Sequence, residues 1–173
     1  MNFNKFENPV LAVLGEGAGL GVLSSCLHGD SVIDTTNSTS LMTVRGFQLP
    51  AKALANLGDC LEVFAAGRFY PLATADVRLE FGGQTMFSRS FLSGSSAQYL
   101  WNMHSRIWRV TSGSVQHYTS FTHVGVSSPE DGLGYLTVDL TTNLDFNIRA
   151  QSSNLSYPFT VEVSSAKVLN VPV

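Results

Sequence analysis

Charge is what this chain has least of. Asp, Glu, Lys and Arg make up 13% of its 173 residues, about half of the quarter usual in globular domains. The net charge is −3 and no basic stripe runs through the sequence, which argues against a nucleic-acid binder. Cysteine is scarce too. Cys26 and Cys60 lie far apart in no metal or redox spacing, so they read as reduced thiols packed as small apolar groups. The apolar stretch at residues 10–27 is interrupted by Glu16 and four glycines, which disqualifies it as a membrane helix. Leu23-Ser24-Ser25-Cys26 resembles a lipoprotein cleavage box, but Glu7 and Pro9 spoil the basic leader it would need. Neither secretion nor lipidation is expected.

Recognisable catalytic chemistry is also missing. Gly17 and Gly19 begin a dinucleotide-like pattern whose third glycine position holds Val22, and no helical pattern follows. No serine sits in a Gly-x-Ser-x-Gly elbow, and Ser93-Gly94-Ser95-Ser96 reads as a turn. The carboxylate pairs Asp76 with Glu80 and Glu130 with Asp131 lie on a solvent face and in a turn, without the apolar surroundings that raise a pKa for acid catalysis. No enzyme activity and no cofactor are expected.

What is present is aromatic: eleven Phe, five Tyr and two Trp. A single domain of this length buries about 68–70% of its unfolded surface without metals or disulfides. From about residue 31 the hydrophobic period is two. Val77, Leu79 and Phe81 alternate with polar neighbours, as do Leu136, Val138 and Leu140, then Leu144, Phe146, Ile148 and Ala150, then Phe159, Val161 and Val163. Less regular runs occupy 39–49, 60–70 and 84–92. This is the pattern of antiparallel strands with one buried face. Only residues 50–57 look briefly helical, with Pro50 in the first turn and Gly58-Asp59 as the stop. Eight to ten strands joined by Ser, Thr and Gly turns predict an all-β antiparallel sandwich over residues 31–173.

The longest signal is a hairpin over residues 98–126. A two-residue turn at Ser112-Gly113 would set Trp101 opposite Val124, Met103 opposite Thr122 and Ile107 opposite Tyr118 on a core face. The outer face would then carry Leu100, Asn102, His104, Arg106 and Trp108 opposite His117, Thr119, Phe121 and His123. Each arm would span roughly 45 Å, so a bend or bulge is expected. Three histidines on one face invite a metal, but no Asp, Glu or Cys accompanies them and none is expected. Trp, Phe and Arg among polar residues fit an interface anchor, an intramolecular cover or a sugar platform.

Residues 1–30 differ from the rest. Phe3, Phe6, Val10, Leu11, Val13 and Leu14 precede Gly15-Glu16-Gly17-Ala18-Gly19-Leu20-Gly21, too glycine-rich for a stable helix and too apolar for a solvated linker. A frayed terminus or a first strand beside the domain are open readings; the preferred one is an extended arm lying on another subunit.

Thr39-Ser40-Leu41-Met42-Thr43, Leu49-Pro50-Ala51, Gly58-Asp59-Cys60-Leu61-Glu62-Val63, Ala65-Ala66-Gly67, Val77-Arg78-Leu79-Glu80-Phe81-Gly82-Gly83 and the Trp101 strand together resemble tailed-bacteriophage virion structural proteins with a jelly-roll-like β-sandwich. The resemblance covers about three quarters of the chain and excludes residues 1–30. It implies a capsid decoration (cement) protein or a head- or tail-fibre domain, often a homotrimer. The expectation is a decoration protein that trimerises on the head, binds the major capsid protein and stabilises the shell, with neither nucleic acid nor membrane as partner. It would be assembled in the host cytoplasm and located on the virion surface. The alternative is a trimeric fibre or adhesin domain binding host glycans. The contacts are expected at Phe3, Phe6, Val10, Leu11, Val13 and Leu14 of the arm and at Leu100, Arg106, Trp108 and Phe121.

Overall fold

The computed structural model describes residues 23–30, 34–35, 38–69, 74–91, 99–123, 130–154, 156 and 158–170. Their regular structure is all strand: β1 (Leu23–Asp30), β2 (Asp34–Thr35), β3 (Met42–Leu49), β4 (Cys60–Phe69), β5 (Ala75–Phe81), β6 (Gln84–Phe91), β7 (Tyr99–Arg109), β8 (Ser114–His123), β9 (Glu130–Thr137), β10 (Leu144–Ser152) and β11 (Thr160–Asn170). They form two antiparallel sheets, a large one ordered β1-β11-β4-β7-β8-β9 with β2 also on β11, and a small one ordered β3-β10-β5-β6. The sheets enclose one apolar core in a β-sandwich.

The period-two readings place most of that core. Val77, Leu79 and Phe81, then Leu144, Phe146, Ile148 and Ala150, and also Leu136, Val138 and Leu140, are buried as expected. Between them runs an aromatic stack with centroid separations of 5.6 Å for Phe87 with Phe121, 5.5 Å for Phe121 with Trp101 and 4.9 Å for Trp101 with Phe159. Trp101 Nε1 donates to the Thr160 carbonyl at 3.0 Å, so the ring is buried without an unsatisfied donor. β5 and β6 join through Gly82 and Gly83, both at positive φ (56° and 76°), as a tight two-residue hairpin requires.

Four expectations are corrected. The hairpin of β7 and β8 closes through the three residues 111–113, because the Thr111 hydroxyl accepts from the Gly113 N–H (3.2 Å) and meets the Ser114 hydroxyl (2.7 Å). Its register is therefore Trp101 opposite His123, Met103 opposite Phe121 and Ile107 opposite His117. A one-residue slip reverses every β8 side chain: Phe121, Thr119 and His117 go into the core, while Tyr118 turns outward. In β11 a bulge between Val161 and Val163 shifts the phase, so Val163 is exposed while Ser164, Ala166 and Val168 are buried.

Residues 50–57 form turns, not a helix. Lys52 has φ 63°, and the N–H groups of Ala51 and Lys52 go to Asn143 Oδ1 (2.8 Å) and the Leu140 carbonyl (3.0 Å). These tertiary bonds outweigh a helical run too short to propagate. Finally, the boundary at residue 30 moves: Leu23–Asp30 is strand β1, paired with β11. Phe3, Phe6, Val10, Leu11, Val13 and Leu14 lie outside the described residues.

Candidate assembly face

The outer face of the large sheet is the chemically distinctive surface. Alternation along β4 sends Glu62, Phe64, Ala66 and Arg68 outward; along β7 it sends Leu100, Asn102, His104, Arg106 and Trp108. β8 contributes Tyr118 and β9 contributes Leu133 and Tyr135. Exposure is high for residues of this type: 69% for Leu133 and Tyr135 and 56% for Leu100, with Phe64, Val163 and Tyr118 near 40%.

Strand register lines up Lys167, Glu62, Arg106, Tyr118 and Leu133 across the sheet. Glu62 is the hub. Its carboxylate accepts from Lys167 Nζ (2.6 Å), Arg106 Nη2 (3.0 Å) and His104 Nε2 (3.0 Å). Lys167 above all, then Arg106 and His104, hold its pKa down to about 2 against the opposing cost of burial. One carboxylate on β4 thus fixes three long side chains from the two strands that flank it, β7 and β11. Beyond this row, the Asp131 carboxylate raises the Tyr118 hydroxyl above its ordinary pKa.

At the other end of the face a shallow groove of about 470 Å³ runs between Phe64, Ala66, Gly67, Leu100, Asn102, Glu162 and Val163. Gly67 is there for space. A Cβ would come within 2.0 Å of the Thr160 carbonyl oxygen, so only glycine lets β4 and β11 close at this point.

Of the anticipated outer-face residues, Leu100 and Arg106 are exposed and Trp108 is partly buried, all on this face. Phe121 is not. At 0% exposure it is a core residue, because the three-residue loop reversed its strand. The three histidines separate for the same reason. His104 stands outside on Glu62, His117 is buried under Gly134, and His123 packs edge-on to Phe69, Phe91 and Tyr99. Among the described residues no three His, Cys, Asp or Glu side chains converge as a metal site. Burial pushes the Cys60 thiol up to about 11, which leaves it protonated and unreactive. Sequence reasoning missed Glu62, whose partners come from separate strands and leave no local motif. It also missed Tyr135 and Leu133; Tyr135 was already visible as an apolar residue on the outward phase of its run.

No family model and no curated protein sequence matches the chain. It is similar to the crystal structure of a protein of unknown function from Shewanella oneidensis MR-1, at 8% identity and a TM-score of 0.39, over 94% of this chain and 95% of that one.

Proposed function

We propose that the protein is a bacteriophage virion structural protein of the capsid decoration, or cement, type. It assembles as a homotrimer on the head, binds the major capsid protein and stabilises the shell, and it is not an enzyme. The observation that carries this reading is the outer face of the large sheet, where Phe64, Leu100, Tyr118, Leu133, Tyr135 and Val163 stand exposed around a pinned ionic hub. Aromatic and aliphatic anchors beside an ordered Arg are what a subunit contact uses. A protein holding both a shell and copies of itself needs such a surface. Shell opening must then break these contacts as well, which is how binding stabilises.

The strand pairings support the jelly-roll reading. β5 pairs with β6, β4 with β7, β3 with β10 and β1 with β11, nested like a long hairpin rolled into two sheets. β8 and β9 extend the large sheet beyond β7, outside this nest, and they supply Tyr118, Leu133 and Tyr135. Elements that extend beyond a packed frame are where binding surfaces are commonly carried.

Quantitative mass spectrometry of purified virions against the major shell protein tests the proposal. Near-stoichiometric copies are expected. A small fixed fraction would move the protein to a vertex or tail, and absence from the particle would overturn the virion reading. The exposed Tyr118 and Tyr135 favour one second reading, a fibre or adhesin domain stacking host sugars. Glycan-array binding that is lost on Tyr135→Ala or Trp108→Ala would select it.

A further inference from the structure

Two local features make the groove on the large sheet. The β11 bulge between Val161 and Val163 lies opposite Ala66 and Gly67 and turns Val163 outward. Ala66, the outward residue between Phe64 and Arg68, is too small to fill the space between them. The result is a hollow rimmed by Phe64, Leu100 and Val163, with the ion pair of Arg68 and Glu162 (2.8 Å) beside it. Apolar surface of this kind favours being covered.

The chain itself carries a cover of matching chemistry. β1 is the edge strand next to β11, and its first residue, Leu23, lies opposite Asn170. Val163 is seven positions back along β11, roughly 20 Å away at the rise of a strand. Residues 1–22 reach up to roughly 70 Å when extended, so the groove is well within range. Their apolar side chains, Phe3, Phe6, Val10, Leu11, Val13 and Leu14, are separated from β1 by Gly15, Gly17, Gly19 and Gly21. Glycines permit the reversal that a return over the sheet demands.

We infer that the N-terminal segment, residues 3–14, docks its apolar side chains into the groove between Phe64, Leu100 and Val163. The glycine run is the hinge, and the occupant is this segment whether it comes from the same chain or a neighbouring copy. The inference gives the arm of the proposed assembly its address. It is tested on the purified protein without any shell, so it can fail while the virion reading stands, and the reverse.

Two measurements test it. In a full-length Cys26→Ser background, Phe6→Cys combined with Val163→Cys is expected to form a disulfide on mild oxidation. Gel mobility then shows whether the bond is within one chain or between two. Phe6→Cys combined with Asn147→Cys, on the small sheet, should form none. Equal bonding to both positions, or to neither, overturns the inference. Separately, deleting residues 1–14 should raise the fluorescence of the apolar dye ANS several-fold, and Leu100→Ser with Val163→Ser in the truncated chain should remove that gain. Dye binding that is the same with and without the segment also overturns it. The cysteine pair keeps the full chain, so it stays decisive if the truncated form does not fold.

Discussion

On the outer face of the small sheet the polar side chains engage one another. Arg149 reaches Glu80 (3.1 Å) and the Leu41 carbonyl (3.1 Å), Gln48 donates to Asp145 (3.1 Å), and Gln151 donates to Asp76, which also accepts from Ser90. The outward positions of β10 and β5 are Asp145, Asn147, Arg149 and Gln151 with Asp76, Arg78 and Glu80, none of them apolar. Across the sandwich the equivalent positions carry Phe64, Leu100, Tyr118, Leu133 and Tyr135, open to solvent. The same alternation builds both faces. What differs is that the outward strands of one carry polar groups that largely bond one another, while the other leaves apolar area uncovered. A sandwich in water alone would have two faces of the first kind; the second kind is what a partner would use.

The contrast depends on the β8 register, so reversing it in thought gives the largest expected effect. With Phe121 fully buried in the aromatic stack, Phe121→Ala should cost about 3–5 kcal/mol, measured by urea unfolding. Tyr118→Ala, on the outer face, should cost about 1 kcal/mol or less. The opposite ranking would mean that β8 pairs in the two-residue-turn register and that Phe121 belongs to the surface after all.

Next in size is the ionic hub. Glu62 is largely shielded while its partners are about half exposed, so each pair is modest and the network counts through its shared carboxylate. Glu62→Gln is expected to cost on the order of 2 kcal/mol at pH 7. Because the folded carboxylate titrates at about 2, below the ordinary 4.5 of the unfolded chain, its contribution is fully present above about 4.5 and is lost as the pH falls toward 2. Stability of the wild type should slope through that window more steeply than that of Glu62→Gln. Parallel curves would show that the hub contributes nothing.

A smaller effect comes from beneath the same face. His117 is 4% exposed, its Nδ1 has no hydrogen-bond partner among the described residues, and the absent side chain of Gly134 makes room for its ring. Burial lowers its pKa below the usual 6.5. The unfolded chain therefore takes up the proton first, and stability should decline as the pH drops below about 6.5 toward the lowered folded value. Substituting His117→Phe should flatten that part of the Tm-against-pH curve. An unchanged slope would assign it to another group.

How far the sequence carried the fold depends on the kind of information each element uses. Runs such as Val77, Leu79 and Phe81 are legible because alternation is a property of the segment alone. The β8 face was not, since it hangs on whether Thr111 pairs across the hairpin or folds into the loop, a choice made by one hydroxyl. The exposure of Val163 was equally hidden, because the bulge that turns it outward lies in the pairing with Ala66 and Gly67, partners far along the chain. For the candidate site, Leu100, Arg106 and Trp108 were placed on the correct face because β7 keeps its phase whatever β8 does. The Glu62 hub draws on β4, β7 and β11 at once, and no window of sequence contains it.

The smallest expected effect on stability is the one that bears most directly on function. Leu133 and Tyr135 sit on β9, outside the nested strand pairs, and most of their surface already faces water. Truncating them removes little buried contact, so Leu133→Ser with Tyr135→Ser should change unfolding free energy by less than about 0.5 kcal/mol. If the face is an assembly surface, the same pair should weaken oligomer formation in analytical ultracentrifugation and reduce occupancy on purified particles. Asp145→Asn on the small sheet, equally mild in stability, should leave both unchanged. A double variant that still assembles and still saturates the head would mean that the uncovered aromatics of β8 and β9 are not the contact. The distinction between the two faces would then rest on the groove at Phe64, Leu100 and Val163 alone.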